Sequence, residues 1–189
     1  MKITRILTLL ILIIFLQAPS FSENLSELAI AFYNDNSIEE SLECLNKIPD
    51  SEKSSQDYLL LGNIYDEFGD RIKAYKLYNK AIKCDDKSFK AYYNIANLYF
   101  DNREYHKAIY YYKLALKNTK ENAYINYNLG CSYLKIGDLK NANSEFLKAI
   151  NIQNDIPEIY YNLAYTYKRL GNEKLSKKNL EIYNKLTEN

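Results

Sequence analysis

The 189-residue sequence has no tryptophan, one histidine, three cysteines, three prolines and five glycines. So few glycines and prolines exclude a sandwich or barrel built from many short strands and tight turns. One histidine, His106, excludes a His-based metal site or a Ser-His-Asp triad, and it reads as an exposed surface residue. Cys44, Cys84 and Cys131 are odd in number and scattered, so they read as buried or half-buried thiols and not as a disulfide framework. A surplus of basic charge is also missing. Lys and Arg number 25 against 24 acids, which excludes the counterion-displacing surface of a nucleic-acid binder. The acidic pairs Asp66-Glu67 and Asp85-Asp86 are sequence neighbours, pointing about 100° apart on a helix, which is poor geometry for paired acid–base work. No phosphate-cradling glycine loop, nucleophile elbow or Cys-x-x-Cys is present. The expectation is a protein that is not an enzyme and holds no cofactor and no metal.

What is present is a fold-competent composition, 47% hydrophobic and 26% charged, with 20 tyrosines. Residues 1–22 stand apart. Lys2 and Arg5 precede an apolar run from Ile6 to Leu16, broken only by Thr8. Gln17-Ala18-Pro19-Ser20-Phe21-Ser22 then brings small residues two apart. This order is that of a signal peptide, with cleavage after Ser20 or, slightly preferred, after Ser22. A spanning helix needs about 20 apolar residues and this run is 11 long, so no membrane insertion of the mature chain is expected. The chain is expected to be exported, to the periplasm or beyond. Loss of Lys2 and Arg5 leaves 23 basic residues against 24 acids, still near neutrality.

Rows of 34 residues starting at Ser55, Phe89, Ala123 and Pro157 agree at seven positions. Position four holds Tyr58, Tyr92, Asn126 and Tyr160, and position seven Leu61, Ile95, Leu129 and Leu163. Position eight is small (Gly62, Ala96, Gly130, Ala164) and position eleven is tyrosine throughout (Tyr65, Tyr99, Tyr133, Tyr167). Position twenty is small (Ala74, Ala108, Ala142, Ser176) and twenty-four large (Tyr78, Tyr112, Phe146, Leu180). Position twenty-seven holds Ala81, Ala115, Ala149 and Tyr183. Positions four to eleven share one face of a first helix, and the later three share one face of a second. Small residues at eight and twenty let two helix backbones approach closely. Every glycine falls at position eight or at fifteen (Gly69, Gly137, Gly171), the link, where glycine takes the left-handed conformation that ends a helix. Asp70, Asp138 and Asn172 then start the next helix.

A worn first repeat precedes these, with Leu25, Leu28, Ala29, Phe32, Ser41, Leu45 and Ile48 in the same positions and Asn34-Asp35-Asn36-Ser37 as its link. The last row carries Tyr183 and Asn184 where a further repeat would need a small apolar surface, so it reads as a solubilising end.

The large-x-x-Leu-Gly-x-x-Tyr and Ala-x-x-x-Phe pattern on a 34-residue period resembles the tetratricopeptide-repeat (TPR) family. Tyrosine replaces the usual tryptophan, and the usual late proline is absent. The resemblance implies an all-α, right-handed solenoid of about five antiparallel helix pairs: 23–54 (degenerate), 55–88, 89–122, 123–156 and 157–189. It also implies a concave groove, lined by the first helices, that takes up a segment of a partner protein or peptide.

Opposite the core positions of each first helix lie positions two, five, nine, twelve and thirteen. They hold Gln56, Leu59, Asn63, Asp66 and Glu67, then Lys90, Tyr93, Asn97, Phe100 and Asp101. Next come Tyr124, Tyr127, Cys131, Leu134 and Lys135, and finally Glu158, Tyr161, Tyr165, Lys168 and Arg169. The expected groove is aromatic centrally, acidic at one end and basic at the other. Tyr124, Tyr161 and Tyr165 are its foremost binding candidates. The carboxylate clamp of chaperone-binding TPRs is excluded, because position five carries Leu59, Tyr93, Tyr127 and Tyr161 and no lysine. The expected function is that of an adaptor. The alternatives are a structural subunit of an envelope or secretion complex, or an accessory domain presenting substrate to a separate enzyme.

Overall fold

The computed structural model describes residues 20–188. The expected signal peptide lies outside the described residues, apart from Ser20, Phe21 and Ser22. Ten α-helices and no strand occur among the described residues. They are α1 Phe21–Asn34, α2 Ile38–Lys47, α3 Ser55–Glu67, α4 Arg71–Cys84 and α5 Phe89–Asp101. The others are α6 Tyr105–Lys117, α7 Ala123–Lys135, α8 Leu139–Ile152, α9 Pro157–Arg169 and α10 Glu173–Thr187. The first hairpin begins two residues before the sequence boundary of 23. The chain forms two compact units, one ending at Leu77 and one beginning at Tyr78, with the boundary inside α4.

One turn chemistry links the helices within each pair. The middle residue of each three-residue link has a positive φ: Asn36 (61°), Gly69 (79°), Arg103 (62°), Gly137 (81°) and Gly171 (78°). The following N–H then donates to the carbonyl five residues back, as in Asp70 to Tyr65 (2.8 Å), Glu104 to Tyr99 (2.8 Å) and Asp138 to Tyr133 (2.9 Å). This bond satisfies carbonyls that the helix end would leave unpaired. Asp70, Asp138 and Asn172 side chains accept from Lys73, Asn141 and Leu175 N–H groups, as the sequence implied. Ser20 and Ser54 each close a reciprocal cap, with Glu23 and Asp57, on α1 and α3.

In the first unit, Ala29, Ser41, Leu45 and Ile48 are buried. The Ser41 hydroxyl donates to the Ala29 carbonyl (2.8 Å), which satisfies a polar group at a close helix approach. Leu28, expected in the core, is 45% exposed, because no described helix precedes α1 to cover it.

In the second unit, α5/α6, α7/α8 and α9/α10 pack as hairpins, and α6 meets α7 as α8 meets α9. The core contains Ala96, Ala108, Tyr112, Ala115, Leu129, Ala142, Phe146, Ala149 and Leu163. Leu180 departs from its expected core place and is 43% exposed, because α10 is the last described helix and none packs over it. Tyr183 closes that end instead, its ring 5.3 Å from Tyr161. Ala108 and Ala142 have no exposed surface. Ala108→Leu and Ala142→Leu should each lower unfolding free energy by about 1–3 kcal/mol through overpacking. Exposed Lys113→Ala should stay within about 0.5 kcal/mol. Denaturant melts check this, and neutral alanine changes would show the register to be wrong.

Candidate partner-binding face

Within the first unit, Asn63 and Asp66 are half-buried and Glu67 is exposed. Glu67 accepts a hydrogen bond from the Tyr33 hydroxyl of α1. Burial, with Glu67 beside it, pushes the Tyr33 phenol up to about 12. Part of this expected acidic patch therefore ties α1 to α3.

Within the second unit, positions five and nine divide into two groups. Tyr93 and Tyr127 are half-buried between repeats. Asn128 Nδ2 donates to the Tyr93 hydroxyl (2.9 Å), and Asn162 Nδ2 donates to the Tyr127 hydroxyl (3.1 Å). The same amides reach position nine of the preceding repeat, Asn97 Oδ1 at 3.4 Å and Cys131 Sγ at 3.5 Å. Asn97 Oδ1 also accepts from the Tyr112 hydroxyl (2.6 Å). Rings complete the packing, Tyr93 against Tyr112 at 5.9 Å and Tyr127 against Phe146 at 6.0 Å. Burial pushes the Tyr112 and Tyr127 phenols well above the usual tyrosine range. Tyr93, Asn97 and Tyr127 thus hold repeat to repeat.

The sequence reading missed position six, which provides the amides of this ladder. The signal was available: Asn94, Asn128 and Asn162 recur at the 34-residue spacing. Position six lies between the core face and the solvent face of the first helix, so helical periodicity alone assigns it to neither.

The second group faces solvent. Tyr124, Tyr161 and Tyr165 are 54%, 53% and 44% exposed. Arg169 lies beside Tyr165, its guanidinium donating to the phenol oxygen at 3.0 Å and sitting 5.8 Å from the ring centroid. Lys135, Lys168 and Arg169 are exposed, as is Asp101, while Phe100 is half-buried against Tyr105 at 5.5 Å. The solvent-facing part of this surface is therefore tyrosine and charge, with Asp101 and Glu158 exposed as well as the cations Lys135, Lys168 and Arg169 at the helix ends.

The thiols separate similarly. Cys44 is buried and Cys131 half-buried, but Cys84, the last residue of α4, is exposed, which corrects the reading of all three as covered. Burial pushes the Cys131 thiol up to about 11, so little thiolate exists there at pH 8. Iodoacetamide at pH 8 should modify Cys84 first, with Cys131 and Cys44 reacting at least tenfold more slowly. Peptide mapping showing Cys131 alkylated as fast as Cys84 would contradict the packed ladder.

Models of tetratricopeptide-repeat families match residues 77–110, residues 58–87 and 157–187, and residues 130–171. Together they span more than half of the chain. Among solved structures, MamA (residue 41 to the end) from Desulfovibrio magneticus RS-1 is 18% identical with a TM-score of 0.77, covering 88% of this chain and 95% of that one. A second MamA structure, from MSR-1, is 17% identical with a TM-score of 0.72, covering 88% and 97%. Pseudomonas aeruginosa pilF is 15% identical with a TM-score of 0.78, covering 87% and 75%. At such identities the likeness is one of fold alone. No curated protein matches the sequence significantly.

Proposed function

Because this chain belongs to the tetratricopeptide-repeat family, we propose that it works as a protein-binding adaptor, holding an acidic segment of a partner on the first-helix face of its second unit. One observation carries the reading: Tyr124, Tyr161 and Tyr165 keep about half their surface in solvent, Arg169 donates to the Tyr165 phenol, and Lys135 and Lys168 are exposed on the same two helices. Tyr93 and Tyr127 are consumed by packing between repeats; these three are not. Tyrosine offers large contact area at low entropic cost, and a nearby guanidinium orients a carboxylate. Panning a displayed peptide library on the immobilised protein should enrich aromatic segments rich in Asp and Glu. Lys168→Glu with Arg169→Glu should then lose their binding, and parent binding should weaken with salt. Enrichment of basic peptides, or equal binding by the reversed variant, would contradict the proposal.

The same reading places the chain outside the cytoplasm, on the basic, apolar and small-residue order of Met1 to Ser22. No described helix is long and apolar enough to cross a membrane. Ser22 is 8% exposed and its hydroxyl donates to Glu52, so cleavage after Ser20 would leave this contact intact, whereas cleavage after Ser22 would remove it. This favours Ser20 over the slight preference for Ser22 drawn from sequence. Intact mass of the protein from its native host should show the loss of 20 residues. A full-length mass in the membrane fraction would overturn the export proposal.

A further inference from the structure

We infer a second binding site, away from the tyrosine face, that takes an aromatic side chain of another protein, a phenol ring above all, where the fourth repeat lacks its own tyrosine. Position four shows how such a ring is held. Tyr58 and Tyr160 are 6% and 8% exposed, and their hydroxyls donate to main-chain carbonyls of the preceding loop, Asp50 (3.0 Å) and Asn154 (2.9 Å). Tyr92 is half-buried at the same position, and burial and then the Asp86 carboxylate of its preceding loop push its phenol above the usual range. Two repeats therefore hold a ring between a first helix and the loop before it, and a third carries a ring at the same position.

The fourth repeat has Asn126 there. Its amide reaches only to the buried Glu145 carboxylate (Nδ2 to Oε2, 2.9 Å), whose other oxygen accepts from Lys148 (2.7 Å). An open pocket of about 360 Å³ lies at that place. Leu116, Lys120 and Glu121 line it from the end of α6 and the loop before α7, Asn126 from α7, and Lys148 and Ile152 from α8. Apart from Asn126, these residues occupy neither the core positions nor the tyrosine face. At roughly 30 Å³ per water the space holds about ten waters, more than a phenol ring needs to displace. Leu116 and Ile152 offer apolar walls, and residues 118–120 hold the loop positions that correspond, by repeat spacing, to Asp50 and Asn154, whose carbonyls receive a hydroxyl in the sister repeats. Both Glu145 oxygens are engaged within the protein, by Asn126 and Lys148, so an occupant need not supply a cation for that buried carboxylate.

The probe is p-cresol, the tyrosine side chain itself, titrated into the full mature chain and followed by amide NMR. The amides of Lys120, Glu121, Asn126 and Lys148 should shift and saturate together, and 4-methylanisole, which cannot donate, should bind several-fold more weakly. Asn126→Tyr should refill the slot and weaken p-cresol at least tenfold. Asn126→Ala, which leaves the slot open, should keep the affinity within about threefold. Tyr165→Ala should leave these shifts unchanged, so failure here and failure of the tyrosine face are read separately. Unsaturated or scattered shifts in the parent chain, or undiminished binding by a folded Asn126→Tyr, would overturn the site.

Discussion

Phe146→Ala should remove about 3–5 kcal/mol of unfolding free energy, the usual cost of deleting a fully buried ring. Phe146 has no exposed surface and packs against Tyr127 at 6.0 Å and against the bare helix backbone at Gly130. A Cβ added at Gly130 would stand 2.6 Å from Phe146 Cε1 and 2.7 Å from Cδ1. Gly→Ala inside a helix ordinarily stabilises by about 0.5–1 kcal/mol. At Gly130 the overpacking cost of about 1–3 kcal/mol wins, so Gly130→Ala should destabilise. The two effects share one contact and should not add. In the Phe146→Ala background, Gly130→Ala should become neutral or favourable, a coupling of about 1–3 kcal/mol in a double-mutant cycle. Urea melts of the four proteins measure it, and additive changes would show that the helix approach at Gly130 does not depend on this ring.

Tyr161→Ala and Tyr165→Ala should each weaken partner binding by about 1–3 kcal/mol, roughly 5- to 150-fold, while leaving the helices intact. Tyr93→Ala and Tyr127→Ala should instead lower stability. Their hydroxyls accept from Asn128 and Asn162, and their rings pack on Tyr112 and Phe146. Removing either leaves an amide of the next repeat with only its longer contact to position nine and strips the ring packing, at about 1–3 kcal/mol. The contrast separates binding from packing among residues of identical chemistry. Titration calorimetry against a panned peptide gives the first pair, and thermal melts give the second. If all four tyrosines affected stability alike and binding not at all, recognition would lie on another surface.

The architecture was legible because the glycines and small residues are placed by steric need. Gly69, Gly137 and Gly171 occupy left-handed links, and Gly130 sits under a ring. Where the sequence offers no glycine, the same link is made by Asn36 and Arg103 at φ near 60°, which only the backbone reveals. Arg103 carries a penalty that glycine would not, and the hairpin on either side holds it there. The candidate site was less legible. A tyrosine at position five reads the same whether an asparagine of the next repeat caps it or not, and that contact joins residues 35 apart. Tyr161 faces solvent at the position where Tyr93 and Tyr127 are covered, because no described repeat follows it to supply that amide. Asn126 stands in sequence at a position its sister repeats give to tyrosine; only the place a tyrosine ring occupies in those repeats shows what its shortness opens.

Photo-crosslinking in the native host tests the central claim most directly. p-Benzoylphenylalanine placed singly at positions 124, 161 and 165 should each give a discrete higher-mass adduct with a partner protein, and the same residue at exposed His106 or Lys177 should give none. Lys168→Glu with Arg169→Glu should abolish the adducts from 161 and 165. Adducts formed from 106 or 177 and absent from all three tyrosine positions would contradict the account.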